Sequence, residues 1–354
     1  MSIRLLIVDD SRVGRAMVTR LLSVDGSIDV VGTAENGQVA LERFDEVNPD
    51  VILLDIEMPT MDGIAFLREL RRRRHFTPVL VFSSLSRRGA LVTIEALAAG
   101  AADYVTKPST VGTNGELPRE LRAVLIDKIR ALAQRSPRLR QSAVTPPAAA
   151  PRPTLPPPSG RRVEIIAIGV STGGPMALSE VFTGMSPTMP VPVVVVQHMP
   201  RLFTEQLAAS LSARTPLQVH EAVHHTQLLS GHVYIAPGGQ HMRIRRDASG
   251  IPRVLLSDEP PVRSCRPSVD LLFESVAAAY GPRTLGLVLT GMGSDGLMGA
   301  HAIRAAGGEL YAQDEPTSVV WGMPGEIVKA GLASKVLPIS DVARELTRRL
   351  LVKE

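Results

Sequence analysis

A glycine-framed serine closes the stretch Val163–Gly174, VEIIAIGVSTGG. An apolar run that breaks at Gly169 and restarts as a helix after Gly173 would lift the Ser171 hydroxyl onto a sharp, exposed turn, where a nucleophile is useful. The first free amides of that helix are placed to stabilise an oxyanion. The same glycine turn also suits a phosphate cradle, so the serine needs partners. Two stand at other strand ends: His198 directly after VPVVVVQ, and Asp295 in TGMGSDG beyond TLGLVL. If these strands run parallel, all three side chains project from one sheet edge. His198 would then take the Ser171 proton, and Asp295 would orient the imidazole. His241 in APGGQHM competes for the base role and Asp314 after ELYAQ for the acid role. The chain order serine, histidine, aspartate differs from the serine, acid, histidine order of α/β-hydrolases.

A second constellation lies in the first third of the chain. Asp9 and Asp10 end the run LLIV, Asp55 ends VILLD, Ser83 follows VLVF, and Lys107 with Pro108 follows YVT. Three carboxylates beside a lysine and a hydroxyl make an acidic pocket suited to a hard divalent cation, magnesium being the best match. Asp55 is placed to attack phosphorus, with Lys107 offsetting the developing charge and Ser83 meeting a phosphoryl oxygen.

The elements that must position these groups alternate. Before residue 136, apolar runs alternate with segments of helical spacing such as Val13, Met17, Leu21 and Val24, giving about five β-α units. After residue 160 the rhythm resumes in VEIIAI, VPVVVV, HVYIA, TLGLVL and ELYA. Between them, residues 136–160 are rich in proline, alanine, serine and arginine and read as a semi-extended linker. The expected organisation is α/β: domain 1–135, linker 136–160, domain 161–354, each domain a doubly wound parallel sheet.

Composition narrows the function further. Aromatic residues at 3% leave no stacking platform for single-stranded nucleic acid. The run Arg71–Arg74 reads as a solvated helix end, since no basic reading helix accompanies it. One cysteine, Cys265, excludes an intrachain disulfide, fits a reducing compartment, and reads as a small half-buried residue. No apolar run approaches a membrane span and the N-terminus lacks a signal segment, so a cytoplasmic location is expected.

These residues also carry two resemblances. Asp9-Asp10, DIEMPTMDG at 55–63, Ser83 and YVTKP at 104–108 resemble a response-regulator receiver domain of flavodoxin-like fold. That resemblance implies Asp55 as phosphoacceptor and a magnesium ion held by Asp10, Asp55 and the Glu57 carbonyl, with Asp9 acting through water. Ser83, Tyr104 and Lys107 would be its signalling residues. GVSTGG, QHMP, YIAPGGQH, CRPSVD, TGMGSDG and AQDEPTSVVWGMP resemble the catalytic domain of CheB-type chemotaxis methylesterases, a three-layer αβα fold. The second resemblance implies Ser171, His198 and Asp295 as a triad, the Thr172 and Met292 amides as oxyanion hole, and no cofactor in the catalytic domain. It further implies methylated chemoreceptor helices as substrate, a chemotaxis histidine kinase as phosphodonor, recruitment to receptor arrays, and neither nucleic-acid binding nor membrane insertion. A response-regulator transcription factor would need a helix-turn-helix output, which the sheet-rich second half does not suit. A phosphorylation-dependent adaptor without catalysis is the other class compatible with the fold.

Overall fold

The computed structural model describes residues 2–108, 118–135 and 161–351. The chain divides into two compact units, residues 1–147 and 148–354. The proposed linker at 136–160 lies outside the described residues.

In the first unit, strands β1 (Ile3–Val8), β2 (Ile28–Ala34), β3 (Val51–Leu54), β4 (Val79–Ser84) and β5 (Asp103–Lys107) form one sheet in the order β2-β1-β3-β4-β5. Every pairing is parallel. Helices α1 (Arg12–Leu22), α2 (Gly37–Val47), α3 (Gly63–Arg72), α4 (Arg87–Ala98) and α5 (Arg119–Ala133) alternate with the strands. Four of them start on a side-chain cap: Ser11, Asn36, Asp62 and Ser86 accept from Gly14, Val39, Ala65 and Gly89 amides. Each cap satisfies one orphan amide and is worth about 1 kcal/mol.

Two local expectations are corrected. Helix α1 buries Val18 and Leu22, whereas Val13 and Val24 are exposed. The apolar face thus lies one residue, about 100°, round from the spacing Val13, Met17, Leu21. Arg71 is not a solvated helix end either: its guanidinium donates to the carbonyls of His75, Thr77 and Gly100, tying the end of α3 to two loops. Only Arg72 and Arg73 pair at the surface, both with Glu69.

The main sheet of the second unit has seven strands among the described residues, β6 (Ile165–Val170), β7 (Val193–Gln197), β8 (Gln218–Glu221), β9 (His232–Ile235), β12 (Thr284–Val288), β13 (Glu309–Gln313) and β14 (Lys335–Leu337). They are all parallel, in the order β14-β13-β12-β6-β7-β9-β8. Strands β6, β7, β12 and β13 are buried along their whole length, which explains their unbroken apolar runs. Helices α6 (Gly174–Thr183), α7 (Arg201–Arg214) and α11 (Ile339–Leu350) pack together; α8 (Val269–Tyr280), α9 (Leu297–Ala305) and α10 (Met323–Lys329) form a second group against β6, β12 and β13. An antiparallel hairpin, β10 (His241–Arg246) and β11 (Pro252–Ser257), lies against α8. The alternation of apolar runs did not announce this hairpin. It is anchored by the Ser275 hydroxyl accepting from the Ile244 amide and by Arg246 over the Tyr280 ring.

The chain leaves β6 toward β7 on one side and returns to β12 on the other. The crevice at the carboxyl ends of β6 and β12 is therefore a topological switch point, where α/β sheets place ligand sites. Ser171 follows β6, and the loop carrying Asp295 follows β12.

Candidate active site

Three neighbouring strands fix the position of Ser171. Val170 pairs in register with Gln197, so Ser171 and His198 occupy the next positions on adjacent strands, and the His198 amide donates to the Val170 carbonyl. On the other side, the Ser171 amide donates to the Thr290 carbonyl at 3.0 Å. Gly173 takes the left-handed conformation (φ 79°) that turns the strand into α6. The side chain of Gln197 clasps the turn by donating to the Ser171 carbonyl at 2.9 Å. Thr290 locks it from beneath, its hydroxyl bonded to the Thr172 carbonyl and to the Val320 amide.

Asp295 is buried at the start of α8. Its Oδ1 accepts from the Ser268 hydroxyl and the Asp270 amide, and its Oδ2 from the Val269 amide at 2.7 Å. The same Oδ2 lies 2.8 Å from His198 Nε2. All four carboxylate lone-pair positions are used, so the group is held by the orphan amides of a helix it does not belong to. Burial alone would push this carboxyl up; the bond from His198, its charge and the two amides outweigh that and hold it below the ordinary range. Pairing Nε2 with Asp295 leaves Nδ1 as the ring nitrogen available for proton transfer. Burial opposes a charge on His198, yet the hydrogen bond to Asp295, the nearby Cys265 sulfur and the Asp295 charge outweigh it and raise its pKa from 6.5 to about 9.

The first unit gathers its own set. Lys107 Nζ lies 2.5 Å from Asp55 Oδ2 and 3.1 Å from Asp9 Oδ2. Burial pushes the Asp55 carboxyl up, Lys107 pulls it down and Asp9 pushes it up again, leaving it raised. Burial disfavours the Lys107 charge, but Asp55 and Asp9 more than compensate. Carboxylate oxygens of Asp9, Asp10 and Asp55 lie within 4.8 Å of one another. An all-oxygen set with more negative charge than one lysine neutralises fits a magnesium ion. The Glu57 side chain points elsewhere, paired with Arg88 at 2.9 Å. Ser83 is buried in a triangle with the Thr93 hydroxyl and the Gly89 carbonyl. Tyr104 is buried, and burial followed by the Asp103 charge pushes its hydroxyl well above the usual phenol value.

Comparison with known proteins matches the two parts of the chain to two families. Residues 166–346 match the CheB methylesterase family and residues 5–114 the response regulator receiver domain. The chain belongs to the CheB methylesterase family. A protein-glutamate methylesterase/protein-glutamine glutaminase of Nocardioides sp. is 48% identical over 353 residues, covering 98% of this chain and 95% of that protein. One of the same name from Trichodesmium erythraeum is 43% identical over 348 residues, covering 98% and 99%. Among solved structures, the Thermotoga maritima CheB methylesterase catalytic domain matches at 37% identity with a TM-score of 0.52, covering 53% of this chain and 99% of that one.

Within this CheB methylesterase chain the structure separates the rival residues. It brings His198 to Asp295, not His241, which is fully buried with Nε2 3.1 Å from the Pro260 carbonyl. Asp314 caps its own turn, accepting from the Thr317 amide and hydroxyl. Met292 follows Gly291, whose amide and carbonyl bond Val320, Gly322 and Met323. Gln197, Ser268, Thr290 and Gln313 hold the site from inside or beside its motifs, and no local pattern in the sequence marks them for that role. Gln313 accepts from the Thr290 amide at 2.8 Å.

Two outcomes follow from this packing. A Cβ on Gly291 would lie 2.5 Å from Met323 Sδ and 2.9 Å from the Ser171 Cβ. Gly291→Ala is expected to displace Ser171 and lower esterase kcat by about 100-fold, as misplacements near 1 Å do; a rate assay beside a circular-dichroism melt would check it. The pH dependence has a definite sign. The raised His198 pKa means its charged form stabilises the fold below about pH 6.5 and that contribution fades as pH rises through about 9. With His198 as the base, activity would need its neutral form and would run the other way. We expect kcat/KM to climb about tenfold per pH unit and level off near pH 9; a plateau already reached by pH 7 would contradict this.

Proposed function

We propose that this chain hydrolyses glutamyl γ-methyl esters on the cytoplasmic helices of chemoreceptors, giving glutamate and methanol, and deamidates receptor glutamines by the same route. The observation that carries the chemistry is the His198–Asp295 pair standing beside Ser171 on one sheet edge. The named relatives support the substrate class.

In this reading Ser171 Oγ attacks the ester carbonyl carbon while His198 takes the hydroxyl proton. The Thr172 and Met292 amides donate hydrogen bonds to the oxyanion that forms. As the tetrahedral intermediate collapses, the C–O bond to the methoxy group breaks and His198 passes its proton to the leaving oxygen, releasing methanol. Water then attacks the acyl-enzyme, His198 removes a water proton, and Ser171 departs reprotonated with free glutamate. Asp295 holds the imidazole and stabilises its charged form throughout.

The receiver unit supplies regulation. Asp55 receives a phosphoryl group from a chemotaxis histidine kinase, with Lys107 offsetting its charge and Ser83 and Tyr104 relaying the change. Asp10, Asp55 and the Glu57 carbonyl, with Asp9 acting through water, would hold a magnesium ion, which would supply charge to neutralise the phosphoryl oxygens. Among the described residues no helix is long and apolar enough to cross a membrane, which fits action from the cytoplasm at receptor arrays.

The test is methanol release from a methylated receptor. A small phosphodonor is expected to speed the wild type by about 5- to 150-fold, the usual range of coupling between two sites. Asp55→Ala should keep the basal rate and lose the stimulation; equal stimulation of both proteins would refute Asp55 as the switch.

A further inference from the structure

Cys265 lies at the site but forms no bond and moves no proton in the reaction above. Cys265 Sγ, a His198 ring nitrogen and an Asp295 carboxylate oxygen lie within 4.8 Å of one another, with Asp295 buried and the other two half-buried. The thiol is held there by a tight turn. Val262 and Cys265 exchange both backbone hydrogen bonds, and the two residues between them, Arg263 (φ 49°) and Ser264 (φ 64°), are left-handed without being glycine. Such a turn costs backbone strain and fixes the residue that follows it.

We propose that Cys265, His198 and Asp295 form a zinc-binding site, through which zinc reversibly inhibits the enzyme. Thiolate, imidazole and carboxylate are the three side chains zinc takes, at about 2.0–2.3 Å. Tetrahedral ligation needs neighbouring donor atoms roughly 3.3–3.8 Å apart, so the thiol must close in by about 1.5 Å at most, while His198 Nε2 and Asp295 Oδ2, 2.8 Å apart, must part by about 0.5 Å as the metal replaces their hydrogen bond. Thiolate and carboxylate together balance the dication, leaving a half-buried site without excess charge. The outer support is already built: the Ser268 hydroxyl and the Val269 and Asp270 amides hold the carboxylate as metal-ligating carboxylates are held. Soft sulfur favours zinc here, whereas the all-oxygen set of Asp9, Asp10 and Asp55 favours magnesium, so the two sites select different ions. Binding releases the thiol proton and engages the imidazole lone pair, so His198 can no longer accept a proton from Ser171. A fourth position remains for water. The inhibitory half rests on the esterase reading; the site itself does not.

Because Cys265 is the chain's only cysteine, cobalt reports on this site alone, even with metal bound at the receiver. Full-length reduced protein titrated with Co²⁺ is expected to show a thiolate-to-cobalt charge-transfer band in the near ultraviolet. The band should vanish in both Cys265→Ser and Cys265→Ala and be displaced by zinc. In parallel, zinc should slow methanol release by the wild type, chelator should restore it, and Cys265→Ser should need at least about tenfold more zinc for the same inhibition, the smallest loss typical of damage to a metal shell. No cysteine-dependent band would overturn the site, whatever the enzyme's substrate. A band accompanied by undiminished methanol release, or equal zinc sensitivity in Cys265→Ser, would overturn the inhibitory role.

Discussion

Ser171→Ala is expected to lower methanol release from methylated receptor by at least about 1,000-fold while leaving the melting temperature unchanged. The two halves of that result have separate causes. The elbow is built from backbone and neighbours: the Ser171 amide on Thr290, its carbonyl held by Gln197 and by the Gly174 amide, and Gly173 in the left-handed turn. Among the described residues the Ser171 hydroxyl makes no hydrogen bond, so deleting it leaves no buried partner stranded, and the stability change should stay within about 0.5 kcal/mol. The hydroxyl's whole contribution is then chemical. What survives would come from the oxyanion amides and from holding the ester in place, which alone sustain a small acceleration over water. A residual rate within tenfold of the wild type would remove Ser171 as nucleophile and revive the reading of this chain as a non-catalytic adaptor.

Much of this site was legible because parallel α/β sheets place their chemistry at strand ends, and strand ends are marked in sequence by an apolar run that stops. Ser171, His198 and Asp295 each follow such a run, as do Asp10 and Asp55 in the receiver. Strand order is what sequence hides: β12 lies beside β6 although more than a hundred residues separate them, and only that adjacency sets the Ser171 amide on Thr290. The contest between Asp295 and Asp314 could not be decided locally, since both stand after strands. Tertiary contacts decide it, with the first turn of α8 supplying donors to one and the Thr317 turn occupying the other. Cys265 reads as a small half-buried residue and is half-buried; what the sequence conceals is its place beside His198, because its turn has no signature. The central pair Arg263-Ser264 lacks the glycine or asparagine that usually announces two left-handed residues. Helix α1 misleads in another way: its apolar spacing is plain, but Val13 and Val24 are exposed.

The second large effect is expected from Asp295→Asn, which changes one atom and removes the negative charge. Oδ1 of the carboxylate serves the Ser268 hydroxyl and the Asp270 amide; Oδ2 serves the Val269 amide and His198. An asparagine must turn its NH2 toward one of these pairs. Turned toward Val269 and His198, it meets an N–H head on and obliges His198 to present an unprotonated Nε2, which puts the proton on Nδ1 and removes the base. Turned toward Asp270, it confronts that amide instead, keeps the useful tautomer, and still loses the charge that stabilises the imidazolium. Either way a buried donor is left unmatched, costing about 1–3 kcal/mol of stability. The rate should fall by about 10⁴-fold, as when the orienting aspartate of a serine triad is made neutral. The pH profile separates this from simple loosening. Asp295 is one of the groups raising the His198 pKa to about 9, so without its charge that pKa drops and the residual activity reaches its plateau at a lower pH than in the wild type. A variant that is slower but keeps the wild-type pH profile would mean that Asp295 only packs the start of α8 and does not govern the protonation of His198.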